Sequence, residues 1–245
     1  MRRLATSLAL DLLPRTGVEL HVHRRHQVAI ADGGCFTAIA EGAGFVVPAA
    51  RAIFIPARVP HAIRNSARTR LCGVYLAPDM CGTLPGRCTL LVASPLLREL
   101  VRAAMALPDD YAADDPAGRL VAVIVDQLAA APVATQGRVP MPAHPRLEKI
   151  VSGLIDNPAD GRTLDAWARV AGASARTLLR LFRDETGLGF EEWRAELRVS
   201  TAIAWLSEGR RVTDIAFDLG YESPSAFIAM FRRRTGVSPR KFASG

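Results

Sequence analysis

Residues 163–187, TLDAWARVAGASARTLLRLFRDETG, and residues 212–236, VTDIAFDLGYESPSAFIAMFRRRTG, decide the fold. Laid over one another they are two copies of one pattern. Trp167-Ala168 falls on Ile215-Ala216 and Gly172 on Gly220, at an offset of 48. Phe182 then falls on Phe231 and Gly187 on Gly236, at an offset of 49, so the second copy carries one extra residue between its glycine and its phenylalanine. Each copy predicts a helix, a glycine-containing turn and a second helix. Ala168 and Ala216 are small enough to let the two helices approach closely. Gly172 and Gly220 sit where a helix C-terminus favours positive φ. Ser174 is placed to cap the next helix of the first copy; Ser223 does so in the second, with Pro224 at the first helical position. Leu178, Leu181 and Phe182, and likewise Phe227, Met230 and Phe231, make the buried faces. A tight helix pair of this kind is the helix-turn-helix, whose second helix can enter a major groove.

Helices flank the two copies. Leu147, Ile150, Val151, Leu154 and Ile155 form a stripe at helical spacing, and Trp193, Leu197 and 203–206 belong to a longer helix that joins the copies. The same pattern also serves in purely structural helical hairpins, but the charges argue otherwise. Arg176, Arg180 and Arg183 fall on the outer side of the first copy's second helix. Arg232-Arg233-Arg234 end the second copy's, and Arg240 and Lys241 follow the Ser238-Pro239 turn. Arginine at such positions reaches phosphate oxygens and base edges. The bulk charge adds little: the formal net charge is +7, and it is spread over both halves of the chain.

The stretch GYESPSAFIAMFRRRTGVSPRKF, from Gly220 to Phe242, resembles the signature of the AraC/XylS regulators, and the first copy with its long connecting helix is similar to that family's first helix-turn-helix. The resemblance covers about residues 144–243. It implies a transcription regulator that binds double-stranded DNA, with RNA polymerase as a further partner if it activates. It places Ser174, Arg176, Thr177, Leu179 and Arg180 on the base-facing side of the first recognition helix, and Pro224, Ser225, Ile228 and Ala229 on that of the second. Members often carry arginine where this chain has Ala229, and Ile228 cannot hydrogen-bond a base. Base reading is therefore expected mainly from the first helix, with the second clamping the backbone. The candidate DNA-binding set is Ser174, Arg176, Thr177, Arg180, Arg183, Ser223, Ser225, Ile228, Arg232 and Arg233.

Ahead of this module the chain changes character. From Val18 to Leu76 short runs such as Phe45-Val46-Val47 and Ala52-Ile53-Phe54-Ile55 alternate with Gly and Pro, as in a small antiparallel barrel or sandwich. Ser94-Pro95 and Asp115-Pro116 each open a helix. That helix pair reads equally well as plain core and as the surface of a homodimer. Residues 131–145, APVATQGRVPMPAHP, hold four prolines and predict a linker. The expected fold class is α+β: a small N-terminal β-barrel (1–90), a helix pair (91–131), a linker (132–143) and an all-α double helix-turn-helix domain (144–245).

The N-terminal part contains a second pattern. His21-x-His23-x3-Gln27-x6-Gly34 is followed by Pro56-x-Arg58-x2-His61-x3-Asn65. This resembles the paired cupin motifs HxHx3Ex6G and PxGx2Hx3N, with Gln27 in place of the glutamate and Arg58 in place of a glycine. FVVPAARAIFIPARVPH, residues 45–61, resembles the matching segment of AraC/XylS members with a short cupin domain. The resemblance implies that His21, His23, Gln27 and His61 line an effector pocket, or that the three histidines hold a divalent transition metal. An amide at position 27 removes a negative charge and favours the metal-free pocket, with no cofactor and an unidentified small-molecule effector. A metal-dependent cupin enzyme with a helical appendage is the alternative; the full helix-turn-helix signature and the missing carboxylate speak for a regulator that is not an enzyme.

Cys35, Cys72, Cys81 and Cys88 form no CxxC pair and no zinc-finger spacing, which predicts buried free thiols in a reducing compartment. No stretch approaches the roughly 20 apolar residues of a membrane span, and Asp11 interrupts the apolar N-terminal run without a clean cleavage site after it. The expectation is a cytoplasmic protein with no membrane partner.

Overall fold

The computed structural model describes residues 4–14, 16–65, 68–82, 84–108 and 110–243. Their contacts divide the chain into two compact units. One takes the residues up to Glu41 together with Phe45–Thr135; the other takes Gly42–Gly44 together with the residues from Gln136 onward.

The first unit is built on nine strands: β1 (Ala5–Leu12), β2 (Gly17–His21), β3 (His26–Ala31), β4 (Cys35–Ala40), β5 (Ala43–Pro48), β6 (Arg51–Ile55), β7 (His61–Arg64), β8 (Thr69–Leu76) and β9 (Thr89–Val92). The apolar N-terminal run thus becomes β1, paired antiparallel with β8 along its whole length. The strands sort into two sheets rather than the closed ladder of a barrel. One has the order β1-β8-β3-β6-β9; in the other, β5, β4, β7 and β2 lie side by side in that order. Side chains alternate across a strand, so each face of the first sheet can be read from its register. Val28 and Ile30, Ala52 and Phe54, and Cys72, Val74 and Leu76 pack into one cluster with Leu97, Val101, Val121, Ile124 and Leu128 of α1 (Pro95–Ala104) and α2 (Pro116–Ala130). Gln27 and Tyr75, directly paired across β3 and β8, belong to the opposite face.

The two helix starts differ in detail. The Ser94 hydroxyl accepts from the Leu97 amide, as an N-cap should. Asp115 also precedes its helix, but its carboxylate accepts from the Ala112 amide and closes the preceding loop instead. All four cysteines are free and buried. Burial pushes the Cys81 thiol up to about 11 and the Cys88 thiol to about 12, so neither offers a thiolate at neutral pH.

Residues 132–143 are structured at both ends. Val92 donates to the Pro132 carbonyl and Ala134 to that of Leu90. Further on, Arg138–Pro140 forms a short strand, β10, with Val139 buried among the helices that follow. The Trp193 indole donates to the Pro140 carbonyl at 2.6 Å. The second unit then runs through seven helices: α3 (Pro145–Asp156), α4 (Leu164–Ala171), α5 (Ala175–Thr186), α6 (Phe190–Ser207), α7 (Val212–Asp218), α8 (Pro224–Thr235) and α9 (Pro239–Ala243). The stripe Leu147, Ile150, Val151 and Leu154 packs with Trp167, Leu178, Phe182, Phe190 and Trp193 in one core. Ile155, at the end of that stripe, is exposed.

Candidate nucleic-acid interface and histidine site

The two copies repeat down to single hydrogen bonds. After α4 the Ala173 amide reaches back to the Ala168 carbonyl at 3.1 Å across Gly172, whose φ is 63°. After α7 the Tyr221 amide reaches the Ala216 carbonyl at 3.0 Å across Gly220, with φ at 79°. Both are the Schellman closure that a left-handed residue permits. Ser174 then accepts from the Thr177 amide and Ser223 from that of Ala226. One residue separates Gly172 from Ser174 and two separate Gly220 from Ser223, so the extra residue of the second copy lies in the turn. At the far ends Thr186 and Thr235 bond back to the Phe182 and Phe231 carbonyls, and Gly187 and Gly236 follow in the left-handed region.

With Leu178, Leu181 and Phe182 buried, α5 turns Arg176, Arg180 and Arg183 outward. With Phe227, Met230 and Phe231 buried, α8 turns out Ser225, Ile228, Ala229, Arg232 and Arg233. Ser174, Thr177 and Ser223 stand at the leading ends of these helices, where their hydroxyls are already engaged. Ser174 caps α5 and touches the Thr177 hydroxyl at 2.9 Å, while Ser223 caps α8. Arg180 is bonded to Asp184 one turn on, at 2.9 Å. Among the described residues no carboxylate pairs with Arg176, Arg183, Arg232 or Arg233. Arg234, third in its run, behaves differently: it is half-buried and bonded to Glu196 of α6 at 2.7 Å. Glu185, which nothing in the sequence pattern singles out, accepts from both the Ala143 and His144 amides and ties the start of α3 to the end of α5.

Three histidines and a glutamine meet in the first unit. His21 ends β2 and pairs with His61, which opens β7, across a register shift between Val18 and His21. His23 lies just past β2, so the two early histidines do not share a strand face. The loop after β2 still returns His23, with its ring centroid 4.8 Å from that of His61 and 5.9 Å from that of His21. One nitrogen from each ring lies within 4.8 Å of the others. The other nitrogen of each is held by the backbone: Nδ1 of His21 by the Glu19 carbonyl at 2.8 Å, of His23 by that of Arg25 at 2.6 Å, and of His61 by that of Val59 at 2.9 Å. A carbonyl only accepts, so each Nδ1 carries the proton and each neutral ring keeps its lone pair on Nε2. Nε2 of His61 is buried without a hydrogen-bond partner. Nε2 of His23 stands 3.0 Å from the Gln27 carboxamide oxygen, and the Gln27 nitrogen donates to the Tyr75 hydroxyl at 3.3 Å. Burial lowers the pKa of His61 to about 4, against the raising effect of the Val59 carbonyl, so this ring is neutral at physiological pH. Three imidazoles gathered this closely, each with Nδ1 held by a carbonyl and one with a buried, unpartnered Nε2, fit a divalent transition metal. Tyr75 has no counterpart in the sequence motif; only the pairing of β3 with β8 brings it in.

Residues 167–245 match the family model described as a helix-turn-helix domain. Over 223 residues the chain is 34% identical to the HTH-type transcriptional regulator NimR of Escherichia coli, an alignment that covers 91% of this chain and 81% of the relative. The chain belongs to the AraC/XylS family of transcription regulators. The HTH-type transcriptional activator RhaS of Shigella sonnei is 25% identical over 251 residues, covering 95% of this chain and 90% of RhaS. RipA of Corynebacterium glutamicum, an HTH-type transcriptional regulator, is 38% identical over 106 residues, or 43% of this chain and 32% of RipA.

As an AraC/XylS regulator the chain binds DNA. On the outer face of α8 Ile228 and Ala229 are exposed, and neither side chain can donate to a base. No helix among the described residues is long and apolar enough to cross a membrane.

Proposed function

We propose that this regulator reads a two-part operator, with α5 discriminating bases and α8 anchoring to phosphates, under the control of a cupin-like sensor domain. The observation that supports the reading is the repeat of helix, Schellman turn and serine-capped helix on either side of α6, each copy ending in outward arginines. One continuous helix between the copies sets two recognition helices at fixed separation. Adjacent major grooves on one face of a duplex lie about one helical turn apart. Arg180, Arg176 and Arg183 then supply base and phosphate contacts from α5, and Arg232 and Arg233 supply phosphate contacts from α8. Ser174, Thr177 and Ser223 contribute by fixing the helix ends, and Ser225 and Ile228 pack against the groove.

In the sensor domain His21, His23, Gln27 and His61 ring the effector site. If a metal occupies it, the three Nε2 atoms hold the ion, which supplies a positive centre for ligand recognition. A homodimer through the outer faces of α1 and α2, contact with RNA polymerase and a cytoplasmic setting complete the reading. The alternative of a cupin enzyme finds no support among the named relatives, which are transcription regulators. Selection of duplexes from a random pool by the full chain tests the operator geometry. Enriched sequences should carry two short elements about 10 bp apart; a single conserved element would show that only one recognition helix engages.

A further inference from the structure

We propose that Arg198 is the positioning residue that fixes the phase between the two recognition helices, and that it thereby sets which spacing of operator elements this regulator accepts. The inference deepens the two-part operator reading above and rests on it. Arg198 lies midway along α6, between Leu197, which belongs to the core around Trp167 and Trp193, and Val199, Ala202, Ile203 and Leu206, buried further along the helix. The residue is half-buried and reaches elements on both sides. Its Nε donates to the Pro158 carbonyl, in the loop between α3 and α4, at 2.9 Å. The same guanidinium stands 5.5 Å from the centre of the Tyr221 ring, in the turn between α7 and α8. Each partner leads on to its own motif. Arg162, at the end of that loop, lies over the Trp167 ring of α4 at 3.6 Å, and its carbonyl accepts from Arg194 at 3.0 Å. Tyr221 packs on Phe227 of α8, with ring centres 5.7 Å apart. The loop also closes on the second turn directly, since a Cβ on Gly220 would stand 2.7 Å from the Ala159 carbonyl oxygen.

The connecting helix does not fix this phase alone. With 18 residues α6 holds its two ends apart, over about 27 Å. The chain then leaves it through a turn at Gly209, whose φ is 79° and around which a Cβ would meet nothing within 4 Å. Rotation of the second motif about the axis of α6 therefore needs a further restraint. DNA makes that rotation matter, because one extra base pair moves the second element by about 3.4 Å along the duplex and about 35° around it. The Arg234–Glu196 pair ties α8 to α6 only, whereas Arg198 joins the loop ahead of α4 to the turn ahead of α8. A guanidinium suits that task. It directs an N–H at a carbonyl and offers its flat, weakly hydrated cation to an aromatic ring at the same time, which an ammonium does less well. Arg176, Arg183, Arg232 and Arg233 are exposed and free of carboxylates, while Arg198 is withdrawn and its Nε is engaged within the protein, so it carries no phosphate.

The operator selected from the random pool is rebuilt with the gap between its two elements shortened or lengthened by one and two base pairs, and the full-length protein is titrated onto each duplex. Wild type should lose at least tenfold in affinity for a shift of one base pair. Arg198→Met, which keeps the apolar stem and removes the guanidinium, should cut that penalty to about threefold or less, with the slope of log K against log salt unchanged. A role in stability alone would weaken every duplex by one common factor and leave the spacing profile sharp. Tyr221→Leu breaks the linkage at its other end and should broaden the profile to the same extent, which decides the matter should Arg198→Met fail to fold. The double variant should broaden it no further than either single change. A folded single variant that keeps the wild-type profile overturns the inference, and so does a loss of about one unit of salt slope in Arg198→Met, which would place Arg198 on phosphate. Wild type indifferent to spacing, or a selection that yields a single element, overturns the two-part operator instead.

Discussion

Arg58 holds a backbone conformation that glycine adopts freely and arginine does not. Its φ is 66°, and from there its amide donates to the His23 carbonyl at 2.8 Å, fixing the loop that presents one of the three histidines. The cupin pattern has glycine at this position, so the substitution was legible as a departure, and its cost is now a stated strain. Left-handed φ costs an L-residue on the order of 1–2 kcal/mol, of which glycine's greater freedom in the unfolded chain takes back about half. The side chain is exposed and contributes little packing. Arg58→Gly should therefore raise stability by up to about 1 kcal/mol, seen as a higher urea midpoint at unchanged slope. A lower midpoint would mean that the guanidinium makes a contact of more value than the strain it imposes. The same residue shows why the site was only partly readable. His21, His23, Gln27 and His61 are found by counting along the chain, whereas Tyr75 enters through the register of β3 with β8, and a pairing between residues 48 apart leaves no local trace.

At the level of elements the helix-turn-helix repeat was readable because its determinants are local: a cap, a glycine, an apolar stripe. Its two copies are nevertheless not equivalent in their surroundings. A Cβ built on Gly172 meets nothing within 4 Å, while one on Gly220 would stand 2.7 Å from the Ala159 carbonyl oxygen. Both glycines have positive φ, so Gly172→Ala should cost about 1 kcal/mol from φ alone. Gly220→Ala adds a backbone clash and should cost about 2 kcal/mol or more, measured as the shift in chemical unfolding. Equal losses would show that the 157–160 loop yields without penalty. The loop itself was not anticipated. It is held by Arg198, whose guanidinium donates to the Pro158 carbonyl at 2.9 Å and lies over the Tyr221 ring, and nothing in residues 157–162 advertises these partners. The arginine run of α8 makes the same point about phase. Arg233 is exposed, and Arg234, one residue on, is turned inward to Glu196. Arg233→Ala should leave the melting temperature unchanged and weaken all duplexes alike. Arg234→Ala should lower stability by about 1 kcal/mol, the scale of a half-exposed ion pair. Thermal melts beside binding isotherms on cognate and scrambled duplexes separate the two. Stability loss in both variants, or in neither, would contradict the placement of these side chains.

For the whole molecule, the division into a strand-built and a helical unit was legible from the change in pattern, and the boundary between Thr135 and Gln136 falls inside the proline-rich segment. That segment was expected to be loose, yet Val139, Pro140 and the amides of Ala143 and His144 are used by the helical unit, because proline bars a central strand but not a short edge strand or a helix start. The net charge of +7 is uninformative about where DNA binds, since both halves share it. What should govern affinity is the number of outward arginines that reach phosphate. With roughly six contacts from two helix-turn-helix units, log K against log salt should fall with a slope near −5, and Arg233→Ala should reduce that slope by about one. Arg180 has a different expected signature. Its guanidinium is held by Asp184 on the outer face of α5 through an exposed ion pair, which a bidentate pair to guanine would replace. Arg180→Ala should cost about 1–3 kcal/mol at one base pair of the selected operator and relax preference there, while the salt slope stays nearly unchanged. Fluorescence anisotropy over a salt series, on the operator and on its single-base variants, reads both quantities. A slope loss from Arg180→Ala equal to that from Arg233→Ala, with no base-dependent term, would place Arg180 on phosphate and leave α5 without its reader.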